Sequence, residues 1–315
     1  MPQNRIHDIE TLIVERRTKI DEWLYARSSS LKLPFYASTD LRNAGFKVSV
    51  VDTNLFPAGF SLLCKLFFDH QVDSAGRLIR RRFGPVERIL ILPEAHTRNP
   101  GYVDNIATLE RVLTSAGFAC RLGLLGESRD ATVEVKGSEG DRHTLHVLGR
   151  TGDTLQANDF TPDLILLNND LAGGCPEILR GIAQPVTPPA EMGWYARRKN
   201  VYFELLDRCV EEFALLLDLD PWLLRTFAEV ERDVDFSTSR GLDRVAEKVA
   251  TVLERTRLKY KEYGIPDTPY VFLKHNAGTY GMGVITVERA EDVRNLNRKM
   301  RQRMRAGKGN IQVDE

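Results

Sequence analysis

The stretch VFLKHNAGTYGMGVITV, residues 271–287, places Lys274 on an apolar strand and follows it with glycines at 278, 281 and 283. Glycine lets backbone N–H groups converge without a Cβ in the way, which makes a nest for an anion, and a lysine adds a point charge. That combination suits phosphate. The order of the residues excludes two familiar patterns. A Walker loop places its lysine after the glycines, and a dinucleotide fingerprint runs GxGxxG into a helix. Here the order is GxxGxG around Thr279, and a second strand, VITVE, follows. Two accounts fit these residues: a flap between antiparallel strands that closes over phosphates, or a plain β-hairpin with a glycine-rich turn.

Other candidates sit at element ends. WYARRKNVYFELL sets Arg197, Arg198 and Lys199 at a helix start. A guanidinium matches a carboxylate in two-point geometry, so either arginine could pair with a substrate carboxylate. The alternative is a solvated charge run, although cations at a helix N-terminus oppose the helix dipole. Asp52 and Asn54 end the strand FKVSVVDTN. They could recognise an amino acid, the aspartate through its ammonium, or simply close an Asx turn. Asn168, Asn169 and Asp170 end PDLILLNND in the same way, and His96 and Arg98 stand in PEAHTRNPGY. His275 should point to the opposite strand face from Lys274 and is not expected to act as a base. The four cysteines, at 64, 120, 175 and 209, form no CxxC pair and have no histidine at zinc-finger spacing. Cys64, in GFSLLCKLFF, reads as a buried small hydrophobe.

These residues need a scaffold. Ile6, Ile9, Ile13, Ile20 and Leu24 recur at helical steps and predict one amino-terminal helix, with Asn4 as its cap. Short apolar strands, ERILILPE, CRLGLLGE and PDLILLNND, alternate with a helix over GYVDNIATLERVLTSAGF. Within that helix Val103, Ile106, Leu109 and Leu113 share a face, and Gly117 suits the exit. ATVEVKG and HTLHVLGR predict a hairpin. The pattern is α/β, with a parallel sheet buried on both faces and polar groups gathered beyond its strand ends. The proline-rich AQPVTPPAEMGW marks a boundary. Two long helices follow it, one stopped near Pro221, and after the glycine loop comes a basic helix spanning residues 289–308.

Composition bounds the function. The chain has 315 residues, 42% of them hydrophobic, enough for two domains. Lys+Arg, 44, balance Asp+Glu, 44, so no global charge favours nucleic acid or membrane. No apolar run reaches the roughly 20 residues of a membrane span. The amino terminus carries charges throughout and no signal core, so a soluble, cytoplasmic protein is expected. The basic helix leaves open a non-enzymatic nucleotide- or RNA-binding role. It lacks the interleaved aromatics that stack bases, so nucleic acid is not the expected partner.

A lysine ending an apolar strand, then a glycine loop, then a strand, resembles the ATP-grasp ligases, with Lys199 as the upstream lysine of that superfamily. VVDTNLFPAGF, MGWYARRKNVYFELLD and FLKHNAGTYGMGV, in this order, resemble the proteobacterial glutamate–cysteine ligase family over essentially the whole chain. The resemblance implies an α/β substrate-binding domain over residues 1–185. After it would come a helical segment and an incomplete ATP-grasp-like α+β domain over 186–315. It implies ATP-dependent formation of γ-glutamylcysteine, the first step of glutathione biosynthesis, through an acyl phosphate. Lys199 and Lys274 would hold ATP phosphates, with Gly278, Thr279, Gly281 and Gly283 covering them. Asp52, Asn54, Arg197, Arg198, Asn168 and Asp170 would bind the small-molecule substrates glutamate and cysteine. Mg²⁺ would be required, yet the family's metal carboxylates lie beyond the glycine loop, in a region the chain does not reach. The expectation is therefore a carboxy-terminally truncated member, without metal ligands and with weak or no ligase activity. A glutathione synthetase-like carboxylate–amine ligase is the alternative enzyme.

Overall fold

The computed structural model describes residues 5–94, 99–126, 128–276 and 284–305. The chain opens with α1 (Arg5–Glu15) and α2 (Arg17–Ser28), followed by strands β1 (Ser38–Asn43) and β2 (Val48–Asn54). Two short 3₁₀ turns lead into α3 (Phe68–Phe83). Next come β3 (Arg88–Pro93), α4 (Pro100–Ser115), β4 (Ala119–Leu124), β5 (Thr132–Lys136), β6 (Arg142–Thr151) and β7 (Thr154–Ala157). β8 (Leu164–Asn168), β9 (Val186–Thr187), α5 (Lys199–Leu217) and α6 (Ser239–Glu262) follow. β10 (Val271–Lys274), β11 (Val284–Val287), α7 (Ala290–Arg294) and α8 (Arg298–Arg305) complete the order.

The chain divides into two compact units, neither continuous in sequence. One comprises Met1–Leu31, Thr39–Asp52 and Arg197–Glu315; the other comprises Lys32–Ser38 and Thr53–Ala196. This differs from a division at residue 185. The amino-terminal helices and most of β1 and β2 belong with the carboxy-terminal part. Packing gives the reason: Ile9, Phe46 and Val48 share a cluster with Val210, Ala214 and Trp222.

The second unit is a mixed α/β layer structure around a mainly parallel sheet of strand order β5-β6-β4-β3-β8-β9, with β7 added to β6. β3 pairs parallel with both β4 and β8. Alternate residues of these central strands enter different cores. Ile89, Ile91, Leu164 and Leu166 pack with α4, while Leu90, Leu92, Ile165 and Leu167 pack on the other side. A strand buried on both faces must be apolar throughout, which is why ILILP and LILLN show no alternation. α4 starts at a capped turn: the Asn99 side chain accepts from the Gly101 N–H at 3.1 Å, and Pro100 occupies the first turn. Val103, Ile106, Leu109 and Leu113 are all buried, and Gly117 adopts φ +91° at the exit. β5 and β6 form the expected antiparallel hairpin.

Three expectations change here. Arg16 leaves helical geometry at φ −101°, ψ 15°, so the amino-terminal segment is two helices rather than one. Its guanidinium donates to the Leu216 carbonyl at 2.8 Å, near the end of α5. Asn4 lies outside the described residues. Cys64 is exposed, not buried. Its segment turns Phe60 inward against Tyr36 and leaves Leu62 and Leu66 in solvent. The basic helix also divides, into α7 and α8. Asn297 makes the break, since its side chain accepts from the Met300 N–H at 3.0 Å and starts α8 afresh. Arg294 is held by Asp243 at 2.7 Å.

In the first unit, α6 buries Leu242, Val245, Ala246, Val249 and Leu253 against the β10–β11 hairpin and α7. β10 and β11 pair antiparallel, Lys274 opposite Val284. Val271 and Leu273 pack on this core, so Phe272 and Lys274 occupy the other strand face. No helix among the described residues is long and apolar enough to cross a membrane.

α6 begins at a tight corner. Thr238 accepts from the Gly241 N–H at 3.1 Å, and a Cβ added at Gly241 would lie 2.1 Å from the Asp235 carbonyl oxygen. Gly241→Ala must therefore push the Asp235–Thr238 turn away. It is expected to cost about 2–3 kcal/mol, read as a fall in the denaturation midpoint.

Candidate functional site

The first unit encloses a cavity of about 940 Å³. Lys199 and Asn200 reach it from the start of α5, and Lys274, His275 and Asn276 from the end of β10. One fastening holds these two elements together. The Lys199 N–H donates to the Asn276 carbonyl at 3.0 Å, and the Asn200 N–H to the Asn276 side-chain oxygen at 2.9 Å. The Asn276 amide returns a bond to the Asn200 side-chain oxygen at 2.9 Å. Asn276 thus satisfies two first-turn donors of α5, which a helix cannot bond internally. It also sets Lys199 beside Lys274, two residues upstream of it. His275, expected on the opposite face, follows the last strand residue and borders the same cavity.

The electrostatics of Lys199 follow from this placement. Burial pushes its pKa down from 10.5 to about 8; Asp52 opposes that shift, while Arg197 and Lys274 add to it. Asp52 and Arg197 form an ion pair at 2.5 Å. The Arg197 guanidinium also lies 4.7 Å from the Tyr202 ring centroid. Arg198 stands at the N-cap of α5 and donates to the Arg197 carbonyl at 3.1 Å. Three of the expected substrate contacts are therefore built around Lys199, with Asp52 and Arg197 engaged with each other.

The remaining expected contacts belong to the second unit and have local partners. Asn54 accepts from the Phe56 N–H at 2.8 Å, the Asx turn that was the simpler reading of that residue. Asn168 is buried: its side chain accepts from Tyr102 at 3.1 Å and Asn105 at 3.2 Å and donates to the Pro57 carbonyl at 2.8 Å. Asn169 and Asp170 accept from the N–H groups of Leu171 and Ala172, both at 2.9 Å. These contacts tie strand ends to loops. Gly278, Thr279, Gly281 and Gly283 lie outside the described residues, as do His96 and Arg98.

Sequence reasoning passed over several cavity residues. Asn276 is one, and its signal is position: an asparagine two residues after the strand lysine. Lys47 and Ser49 are others, and their signal is a two-residue step at the start of β2. Among the described residues no group of three or more His, Cys, Asp or Glu could hold a metal. No cysteine among them lines the cavity, and burial pushes the Cys120 thiol up to about 12.

Two predictions test this geometry. Lys199 has a depressed folded-state pKa, so its charged form opposes folding fully below about pH 8 and less as pH rises toward 10.5. Lys199→Met should therefore raise the melting temperature of the ligand-free protein at pH 7, and the gain should shrink across that window. Asn276→Ala keeps the carbonyl that meets the Lys199 N–H but removes the acceptor of the Asn200 N–H and the donor to the Asn200 side-chain oxygen. It should cost about 1–2 kcal/mol of stability in denaturant melts.

Comparison with known proteins bears on the whole chain. No curated protein matches it. A crystal structure of a protein provisionally named a gamma-glutamylcysteine synthetase, from Methylobacillus flagellatus KT, superposes with a TM-score of 0.91 at 40% sequence identity. The match covers 97% of this chain and 72% of that one. The family model for glutamate-cysteine ligase, GshA, matches residues 10–315. With a lysine pair in a cavity and a family match over nearly its full length, the chain belongs to the glutamate–cysteine ligase family.

Proposed function

We propose that the protein joins glutamate to cysteine with cleavage of ATP, and that Lys199 and Lys274 hold the nucleotide phosphates. The observation that carries this reading is their convergence. Two lysines from separate elements border one cavity, close enough for Lys274 to lower the pKa of Lys199. Two ammonium groups forced together are unfavourable unless an anion joins them. Phosphate oxygens between them would reverse the sign of the interaction and bring Lys199 back to full charge.

The chemistry explains why phosphate is needed. A carboxylate resists attack because its charge is spread over two oxygens. Transfer of the terminal phosphoryl group of ATP to the γ-carboxylate of glutamate gives an acyl phosphate and releases ADP. The cysteine amine attacks its carbonyl carbon, the amide forms, and inorganic phosphate leaves. Catalysis of this kind rests on positioning and on neutralising charge that builds on the phosphoryl oxygens. Lys199 and Lys274 supply that neutralisation, and Asn200 with Asn276 sets their separation. The backbone of Gly278, Thr279, Gly281 and Gly283 is proposed as the cover, in the manner of the ATP-grasp enzymes. Asp52 and Arg197 are proposed to meet the substrate by exchanging their mutual ion pair for its ammonium and carboxylate. Arg198 is proposed as a second cation there. Asn54, Asn168 and Asp170 make the scaffold contacts described above. The family chemistry uses Mg²⁺, and no described residue is assigned to it.

Lys274→Ala should weaken ATP binding at least about tenfold by calorimetry, the loss of one charge-assisted contact. An unchanged ATP affinity would remove the phosphate assignment. For the reaction, γ-glutamylcysteine is the expected product of ATP, glutamate and cysteine. A panel of amine acceptors in which another outpaces cysteine would point instead to a different carboxylate–amine ligase.

A further inference from the structure

The cavity has a second cationic corner. Lys47 immediately precedes β2, and Lys47, Ser49 and Val51 border the cavity at two-residue steps. Lys47 is 9% exposed and Ser49 3%. The Lys47 ammonium donates to the Arg225 carbonyl at 2.5 Å and lies 4.2 Å from the Trp222 ring centroid. Neither partner carries a negative charge. The acid that acts on it most, Asp220, is committed elsewhere: it accepts from Lys259 and Tyr263, both at 2.7 Å, and from the Trp222 N–H at 2.9 Å. Among the described residues Lys47 has no ion pair. The Ser49 hydroxyl is buried in the same wall and has no hydrogen-bond partner among them.

A buried hydroxyl without a partner typically costs about 1–3 kcal/mol, and a buried ammonium without a counter-ion costs more. Such costs persist where a ligand removes them. Burial pushes the Lys47 pKa down to about 7, with Asp220 opposing and Arg225 adding to the shift, so an anion here would restore its charge.

We propose that Lys47 and Ser49 form a subsite for the carboxylate of an amino-acid substrate, separate from the phosphate grip of Lys199 and Lys274. The inference rests on the ligase reading and extends it. Same-face residues two apart on a strand lie about 6.5–7 Å from one another, and the long lysine side chain closes part of that gap. One ammonium and one hydroxyl give a donor for each carboxylate oxygen. Arg225, the other cation that acts on Lys47, is paired with Asp207 and Glu211, so one uncompensated charge remains, which matches a monoanion; a triphosphate carries several charges. Val51 and the Trp222 ring supply an apolar wall beside the donors, suited to the methylene part of an amino acid. Both amino acids of the reaction carry an α-carboxylate, and the test separates them.

Calorimetric titration of the full chain with glutamate, with cysteine and with ATP decides the matter, using wild type, Lys47→Met and Ser49→Ala. One of the two amino acids should lose about tenfold or more in affinity on Lys47→Met and about threefold on Ser49→Ala, while ATP binds as before. Ser49→Ala should melt no lower than wild type, because its hydroxyl makes no internal bond. It therefore decides the question even if Lys47→Met does not fold. Unchanged amino-acid affinities in folded variants overturn the subsite alone. Loss of ATP affinity in both variants also overturns it, since the corner would then serve the nucleotide. A wild type that binds ATP but neither amino acid overturns the subsite, and one that binds none of the three overturns the ligase reading with it.

Discussion

Asn276 fastens the end of one strand to the start of one helix, and the arrangement of the cavity depends on it. Its carbonyl and side chain occupy the first N–H groups of α5, and its amide closes the ring onto Asn200. A helix start always has donors to spare. Here they are used to lock a hairpin in place, so the same bonds that finish a helix also fix the spacing of two cations. Neither Lys199 nor Lys274 would be informative alone. Set together by a short hydrogen-bonded bridge, they make a place where negative charge is wanted.

The first unit carries its charge in an uneconomical way for a protein that needed only to fold. Lys199 and Lys47 are both held with their pKa values well below the ordinary lysine value, and in each case burial is the main cause. By contrast, the charges of α6 and the segment before it are matched at the surface: Glu229 takes Lys248 and Arg255, and Asp220 takes Lys259. Paired charges near solvent contribute little and disturb little. Desolvated cations beside a cavity raise the energy of the empty protein and lower that of a complex with an anion. The second unit shows the opposite strategy. One of its buried polar residues, Asn168, is bonded to Tyr102, Asn105 and Pro57, and its sheet is covered by apolar side chains on both faces.

Much of this was legible in the residues. Uniform apolar runs gave the parallel strands, three- and four-residue steps gave α4 and its buried face, and the paired segments ATVEVKG and HTLHVLGR gave the hairpin. The misses have physical causes. β1 is polar and exposed, so no pattern marks it; its pairing with β2 is a backbone interaction that side-chain periodicity does not report. α1 and α2 share a hydrophobic period, but Arg16 bonds to α5 some two hundred residues away and interrupts it. Cys64 looked buried because it stands among leucines and phenylalanines, whereas two 3₁₀ turns direct several of those side chains outward.

The sequence by itself determined the chemistry on offer: two lysines, a glycine-rich connection, a parallel sheet, and three ordered stretches resembling one ligase family. Those are properties of residue type and local spacing, and they survive without knowledge of any distant contact. Only the tertiary structure decided which groups meet. It brought Lys199 to Lys274 and Lys47 to Trp222, paired Asp52 with Arg197, and returned the first helices to the carboxy-terminal unit. Burial and pairing depend on contacts far apart in the chain. A charge is costly or harmless according to what surrounds it, and the surroundings are set by the fold.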